Sequence, residues 1–467
     1  MSENHPWIPS STPQQIEKML RSIGVKNIEE LFNDIPPDLR ISKEKWESLE
    51  IGLGRPASEI EARRLVDTKM SKNMKLKIPP FMGGGVYPHY VPPIVKYIIS
   101  RGEFLTSYTP YQAEISQGLM QALFEYQSLI AELLGMDVVN ASMYDHGSAV
   151  AEAVLMALRV NKGKRKVLIP ASMNPFHRKV LSTYIEPHGV KIVNIPYETR
   201  SGTVDIEKLK EAIDGETAAV YLQYPNFFGV IESEVKAVGE ISHDQKAVFI
   251  AGIYPISLGL LKPPGEIGAD IAVGDGQSLG LGMNFGGPHL GIFATRFDTN
   301  LLRQIPGRII GIAETIEGER SFAMIMQTRE QHIRRERATS NICTNEALMA
   351  IASAVYLSLL GKNGIKKLAE VNYYRAHYAW NKMKDLGLDV DLFDGDFFNE
   401  FPVSFNNFGA YREIHNKLLD RGLHGGLYIG NLYPDLGETA LYAFTEMHLK
   451  DDIDFLLKTL SQILIGG

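Results

Sequence analysis

Residues 218–273 decide the fold: Ala218-Ala219-Val220-Tyr221-Leu222-Gln223, a helix-spaced segment from Val235 to Ser242, Ala247-Val248-Phe249-Ile250, and then Asp270-Ile271-Ala272-Val273. Short apolar runs without polar alternation read as strands covered on both faces, and a helical segment between two of them reads as a crossover. The stretch therefore predicts a mostly parallel sheet. Further strands are expected upstream at Lys166 to Ile169 and Lys191 to Ile195, and downstream at Leu290 to Thr295. Helices are expected near Ala149 to Arg159, Phe176 to Tyr184 and Ile206 to Ile213. The chain after Gly307 returns to helix by its pattern, and residues 388–467 read as a smaller α/β unit with a terminal helix near Asp452 to Leu464. No internal repeat or low-complexity segment interrupts this α/β plan.

Toward the N-terminus the alternation stops. Thr12 and Gln15 have capping-box spacing, Pro13 falls at the first helical position, and Gly24 ends the segment. Asn27 starts a second short helix through Phe32, and Ser58 with Glu61 caps a third through Leu65. The expected division is a helical segment over residues 1–65, a large domain over 66–325, and a smaller C-terminal domain with its connecting helix over 326–467.

The chain has 467 residues, 45% of them hydrophobic, and a net charge of −7 from Lys+Arg 48 and Asp+Glu 55. That balance offers no attraction for a phosphate backbone or an anionic membrane, so neither nucleic acid nor a membrane surface is expected as partner. Residues 1–12 lack the basic and apolar blocks of a secretion signal, and no charge-free stretch reaches the roughly 18 apolar residues of a bilayer span. Cys343 is the sole cysteine, which excludes an intrachain disulfide and a multi-cysteine zinc site. A reducing, cytoplasmic setting is the expectation.

Several polar runs stand out. Residues 106–118, which include Tyr108, Tyr111, Gln112, Glu114, Ser116 and Gln117, crowd hydroxyls, amides and a carboxylate ahead of an apolar helix; a turn with a helix cap fits them as well as a site does. Tyr144-Asp145-His146-Gly147-Ser148 leads into the next helix, where free N–H groups suit an anion, or where Ser148 is simply the N-cap. Gly274-Asp275-Gly276-Gln277-Ser278-Leu279 follows a strand but lacks the third glycine of a dinucleotide fingerprint. His177, His188, His243, His289 and His332 show no metal-ligand spacing, so no metal is expected. Residues 327–337 alternate in charge, as a solvated helix face does.

Five segments together carry a resemblance: residues 104–118, 140–153, 221–231 with Tyr224-Pro225-Asn226-Phe227-Phe228-Gly229, 276–291 and 327–344. In these the chain resembles the pyridoxal-phosphate-dependent P-protein family of the glycine cleavage system, over nearly its whole length. The one-chain form of that family is about twice as long, so the likeness is to the alpha chain of the two-chain form. The resemblance implies the aminotransferase-like fold type I. It also implies an enzyme complex that decarboxylates glycine on pyridoxal phosphate and passes the aminomethyl group to the lipoyl arm of the H-protein.

Such chemistry needs a lysine for the covalent link to the cofactor and an acid for its ring nitrogen. Where relatives carry a His-Lys pair, this chain has Gln277-Ser278, which puts Ser278 at the lysine-equivalent position; no lysine lies between Lys262 and Lys362. The acid expected after residues 246–250 is replaced by Ala251-Gly252, with Asp275 the one geometric substitute. The resemblance therefore implies that a homologous beta subunit holds the cofactor and that no catalytic residue acts on this chain by itself. The shared-site candidates are Tyr87, His89, Tyr108, Tyr111, Gln112, Glu114, Ser116, Gln117, Tyr144 and Asp145. An α2β2 tetramer is implied, and Arg329, Arg334 and Arg335 are candidate electrostatic contributors either to subunit docking or to the negatively charged partner. Two other readings stay open: a scaffold whose pocket has decayed, and an independent enzyme using a displaced lysine such as Lys262.

Overall fold

The computed structural model describes residues 7–8, 10–49 and 57–465. The expectation for residues 1–12 falls partly outside them, as does the last pair of the C-terminal domain. The chain forms two compact units, residues 1–74 and 75–467.

In the first unit Thr12 and Gln15 close a reciprocal capping box on Pro13–Ile23, and Gly24 caps its end in the left-handed conformation. Ser58 and Glu61 do the same for Glu59–Met70, which runs on past Leu65 because no stop residue comes before Ser71.

The second unit is built on a seven-stranded sheet. Its strands are β1 (Val138–Val139), β2 (Lys166–Pro170), β3 (Lys191–Ile195), β4 (Thr217–Tyr224), β5 (Val248–Ile253), β6 (Ile271–Asp275) and β7 (Gly291–Thr295), ordered β1-β7-β6-β5-β4-β2-β3. The four pairings from β3 through β2, β4 and β5 to β6 are parallel, and β7 runs antiparallel between β6 and β1. Period-two alternation divides the core: Ala219 and Tyr221 of β4 face the helices His146–Val160 and Pro175–Ile185, while Val220 and Leu222 face Val235–Asp244. A third core cluster joins Gln117–Leu134 to Ala347–Asp385. The latter helix is charge-free from Ala347 to Gly361 and buries Ala350, Ala352 and Tyr356 in that cluster, as a core helix does.

Two expectations need correction here. The chain after Gly307 does not return to helix: β8 (Ile309–Glu314) and β9 (Arg320–Ile325) form an antiparallel hairpin, and the long helix begins only at Ala347. The Ile-rich run Ile309-Ile310-Gly311-Ile312 is β-branched, and side-chain amides from another helix fix both strands. Gln127 exchanges two hydrogen bonds with the backbone of Ile310 and Gln117 two with Phe322. Residues 327–337 are not one solvated helix but three single turns, broken where Met326 and Arg335 take φ of 56° and 53°. Arg329 among them is buried, its guanidinium donating to the carbonyls of Ile305, Gly307 (3.0 Å) and Met326 (3.1 Å), so it is a backbone clasp and no docking contributor.

The C-terminal part carries a three-stranded antiparallel sheet of β10 (Glu400–Ser404), β11 (Leu427–Tyr428) and β12 (Thr439–Ala443), ordered β10-β12-β11, closed by Lys450–Ile465. Residues 77–83 run along it, with Phe81 exchanging backbone bonds with His424 (3.0 Å) and Ala443 (2.9 Å). Gly229, at φ 81°, lets the turn after β4 meet this sheet, since a Cβ there would lie 1.9 Å from the Glu400 carbonyl oxygen. Gly229→Ala should therefore cost about 3 kcal/mol or more in stability. Thermal denaturation checks this: a melting temperature equal to that of the parent chain would refute it.

Candidate functional site

Parallel α/β sheets place ligands at the carboxyl ends of their strands. There, after β4, β5 and β6, lies a small cavity with about 30 Å³ of free space, lined by Tyr87, His146, Tyr254, Gln277, Ser278 and Glu400 among others. Gln277 is buried and holds the chain around it. Its Nε2 donates to the carbonyls of Tyr87 and Leu281, both at 3.1 Å, and its Oε1 accepts the Tyr87 N–H at 3.3 Å. Ser278 is buried beside it with its hydroxyl unpartnered among the described residues.

Asp275 closes β6. Its Oδ1 accepts the Gln277 N–H at 2.8 Å, and its Oδ2 lies 3.0 Å from His289 Nδ1. The hydrogen bond to Asp275 raises the His289 pKa above the ordinary imidazole value. His146 lies opposite, 3.2 Å from the Tyr221 hydroxyl and with its ring centroid 4.4 Å from that of His177. Burial, reinforced by His177, holds His146 well below its ordinary value, and burial takes His177 down to about 4. Across the cavity Tyr87 donates its phenol proton to Glu400, whose other oxygen accepts the Gly84 N–H at 2.9 Å. Burial pushes the Glu400 carboxyl up to about 7 against both of those bonds. A second buried chain runs from Tyr254 through His89 to Glu446, with contacts of 2.5 and 2.9 Å.

Pyridoxal phosphate, the cofactor implied by the resemblance, does not fit this cavity. Pockets that hold small molecules offer about 300–1,000 Å³, no lysine lines the space, and Gln277 is committed to backbone groups.

The ten sequence candidates fall into separate groups. Tyr87 lines the cavity and His89 is buried behind it. Asp145, not Ser148, is the N-cap of His146–Val160: its carboxylate accepts the Ser148 N–H at 2.7 Å and the Ser148 hydroxyl reciprocates at 3.1 Å. That N–H is therefore not free for an anion. Tyr144 is exposed beside the cap. Tyr108, Gln112 and Glu114 lie on the surface, Ser116 is half-buried at the start of Gln117–Leu134, and Gln117 clamps β9. Tyr111 is exposed but held. The buried Arg308 donates to its hydroxyl at 3.2 Å, lies 5.0 Å from its ring centroid, and also reaches Glu330 at 2.9 Å and the Cys343 sulfur at 2.8 Å.

Sequence reasoning missed Glu400, Arg308, Tyr254 and Glu446. Glu400 left a signal, a lone acid inside the apolar run Phe397-Phe398-Asn399-Glu400-Phe401. The other three left none, because their roles arise from pairings between residues far apart in sequence.

A family model described as "Glycine cleavage system P-protein" matches residues 5–460. Among curated relatives, the probable glycine dehydrogenase (decarboxylating) subunit 1 of Staphylothermus marinus is 64% identical, and that of Sulfurisphaera tokodaii 52%, each over 99% of both chains. A crystal structure of glycine decarboxylase (P-protein) of the glycine cleavage system, in inhibitor-bound form, superposes with a TM-score of 0.84 at 39% identity, covering 99% of this chain and 100% of that one. A Thermus thermophilus aspartate aminotransferase double mutant superposes at 0.56 with 12% identity, covering 91% of this chain and 100% of its own, which shows the aminotransferase-like fold type I alone.

The raised Glu400 pKa has a consequence for stability. A carboxyl near 7 when folded and near its ordinary 4.5 when unfolded favours folding fully below the unfolded value, and that favour is lost as pH rises to about 7. The loss amounts to at most about 3 kcal/mol. Glu400→Gln keeps an acceptor for Gly84 and removes the titration, so its melting temperature should fall less than that of the parent between pH 5 and pH 8. Equal falls would refute the assignment.

Proposed function

This chain belongs to the glycine cleavage system P-protein family, and from that premise we propose that it is the subunit of glycine dehydrogenase (decarboxylating) that carries no cofactor lysine. It completes the active site of a homologous second subunit. The family uses pyridoxal phosphate, which supplies the electron sink for decarboxylation wherever it is bound. The observation that carries the reading is the Gln277-Ser278 pair after β6: one side chain is spent on backbone groups, the other is an uncharged hydroxyl, and no lysine lies within reach in sequence.

The residues this chain contributes are then those on its outer surface. Tyr108 and Glu114 are exposed and uncommitted to core packing, and Tyr111 is oriented by a buried guanidinium. Together they offer hydroxyl and carboxylate groups to a joint site, as active sites at subunit interfaces require. Tyr144 and Asp145 extend that lining, while buried Tyr87 and His89 and half-buried Ser116 and Gln117 act as its support. The reading includes glycine as substrate of the complex, the lipoylated H-protein as acceptor, an α2β2 assembly and a cytoplasmic setting. Exposed Arg334 and Arg335 are the docking contributors that remain, and arginines on a rim steer an acidic partner electrostatically. The division into a large domain to residue 325 and a smaller one from 326 belongs to the same proposal.

Absorbance spectra and borohydride trapping with mass analysis test this. The chain purified with pyridoxal phosphate should show no lysine adduct, and the reconstituted complex should show one on the second subunit alone, with glycine decarboxylation requiring both. An adduct on this chain would overturn the reading. Tyr108→Phe and Glu114→Ala should each lower turnover of the complex about 10- to 100-fold without loosening assembly; a change in assembly alone would favour a scaffold.

A further inference from the structure

We infer that the apolar helix faces within residues 10–74 are a docking surface for the second subunit of the complex. The inference rests on the reading that such a subunit exists, and names the part of this chain that holds it. No described residue between 10 and 74 is buried. Fifteen large apolar side chains there are exposed, among them Met19 at 47%, Phe32 at 49% and Val66 at 56%. A soluble monomer scatters such residues singly, and their concentration marks a surface that a partner covers.

The sequence nevertheless specifies ordered helices there. Pro13–Ile23 and Glu59–Met70 each begin with a reciprocal capping box. Helices of 11 and 12 residues are marginal in water by themselves and draw their stability from packing an apolar face. Each helix has such a face: Ile16, Met19, Leu20 and Ile23 follow one another at helical spacing on the first, and Ala62, Val66 and Met70 on the second. Neither helix buries a residue. A capped, amphipathic helix with its apolar side open is built for a surface that it meets on assembly.

The chemistry of the surface selects its occupant. The 11 basic and 12 acidic residues of segment 1–74 nearly cancel, so nothing steers it toward a phosphate backbone, an anionic bilayer or an acidic carrier protein. Contacts that form and part in each catalytic cycle are small, whereas permanent subunit contacts are large and apolar. Fifteen large apolar side chains supply half or more of the roughly 20–30 residues that each side of a stable interface uses. The family match begins at residue 5 and so includes this segment, which makes it a feature of the family whose two-chain form has a permanent partner. That partner, the second subunit, is the occupant.

Titration of the full chain with its second subunit, followed by analytical ultracentrifugation, tests the assignment with Met19→Glu and Val66→Glu. Each charge placed on an apolar face should weaken assembly at least about tenfold, while the isolated variants keep the melting temperature and mass of the parent chain. Hydrogen exchange on the parent gives a second measurement: amides of Pro13–Ile23 and Glu59–Met70 should exchange fast in the isolated chain and slowly in the complex. Lower melting temperatures with assembly unchanged would place these faces on the chain's own large unit, and loss of a self-associated form alone would place them on a second copy. Either result overturns the inference, as does slow exchange at both helices before the partner is added. If both variants assemble and turn over as the parent does, the inference fails and the proposed function stands; if the parent itself does not assemble, both fall.

Discussion

A buried carboxamide that must stay paired organises the carboxyl edge of the large sheet. Gln277 has one acceptor and two donor positions in a dry site, and each left open would cost about 1–3 kcal/mol. It satisfies them on the backbone of Tyr87 and Leu281, which fixes Tyr87 against the end of β6. Tyr87, once fixed, delivers its phenol to Glu400, and Glu400 accepts the Gly84 N–H. One short segment is thus tied through its backbone to the seven-stranded sheet and through its side chain to the three-stranded one. The close approach at Gly229 belongs to the same junction, because only a residue without a Cβ lets the turn after β4 touch the backbone of β10.

The outer surface is organised by a buried cation in the same manner. Arg308 is desolvated, which is tolerable only with a countercharge and further acceptors, and Glu330, Cys343 and Tyr111 supply them. Burial alone would raise the Cys343 thiol, but its hydrogen bonds with Arg308 and Thr344 outweigh that and lower its pKa. Tyr111 therefore reaches solvent from a rigid base, although the loop around it is short of core contacts. Order at an exposed tyrosine comes from the interior.

β4, β5 and β6 were legible because each is buried on both faces and reads as an unbroken apolar run, and their ends were placed to within three residues. The hairpin of β8 and β9 was not, since its Ile-rich run reads equally as buried helix, and the amides that settle the matter come from Gln117 and Gln127, far away in sequence. The same limit explains Arg329, which looks like a surface charge beside its neighbours and is drawn inside by three backbone carbonyls. At the strand ends, the identity of Gln277-Ser278 was plain in the sequence. What those residues do was not, because a clasp to Tyr87 exists only once the chain is folded.

The charge balance around the cavity closes without a lysine. Asp275 and Glu400 both line the cavity beside Ser278, and no lysine does. The fold answers each acid separately. Asp275 is met by His289 Nδ1 at 3.0 Å and by the Gln277 N–H at 2.8 Å. Glu400 is buried so fully that its carboxyl rises to about 7, which keeps much of its population neutral and needs no counterion. The two other histidines, His146 and His177, are held neutral by burial and add no positive charge. With no lysine lining the cavity, Glu400 is left to burial and its two hydrogen bonds, and Asp275 to His289 and the Gln277 N–H.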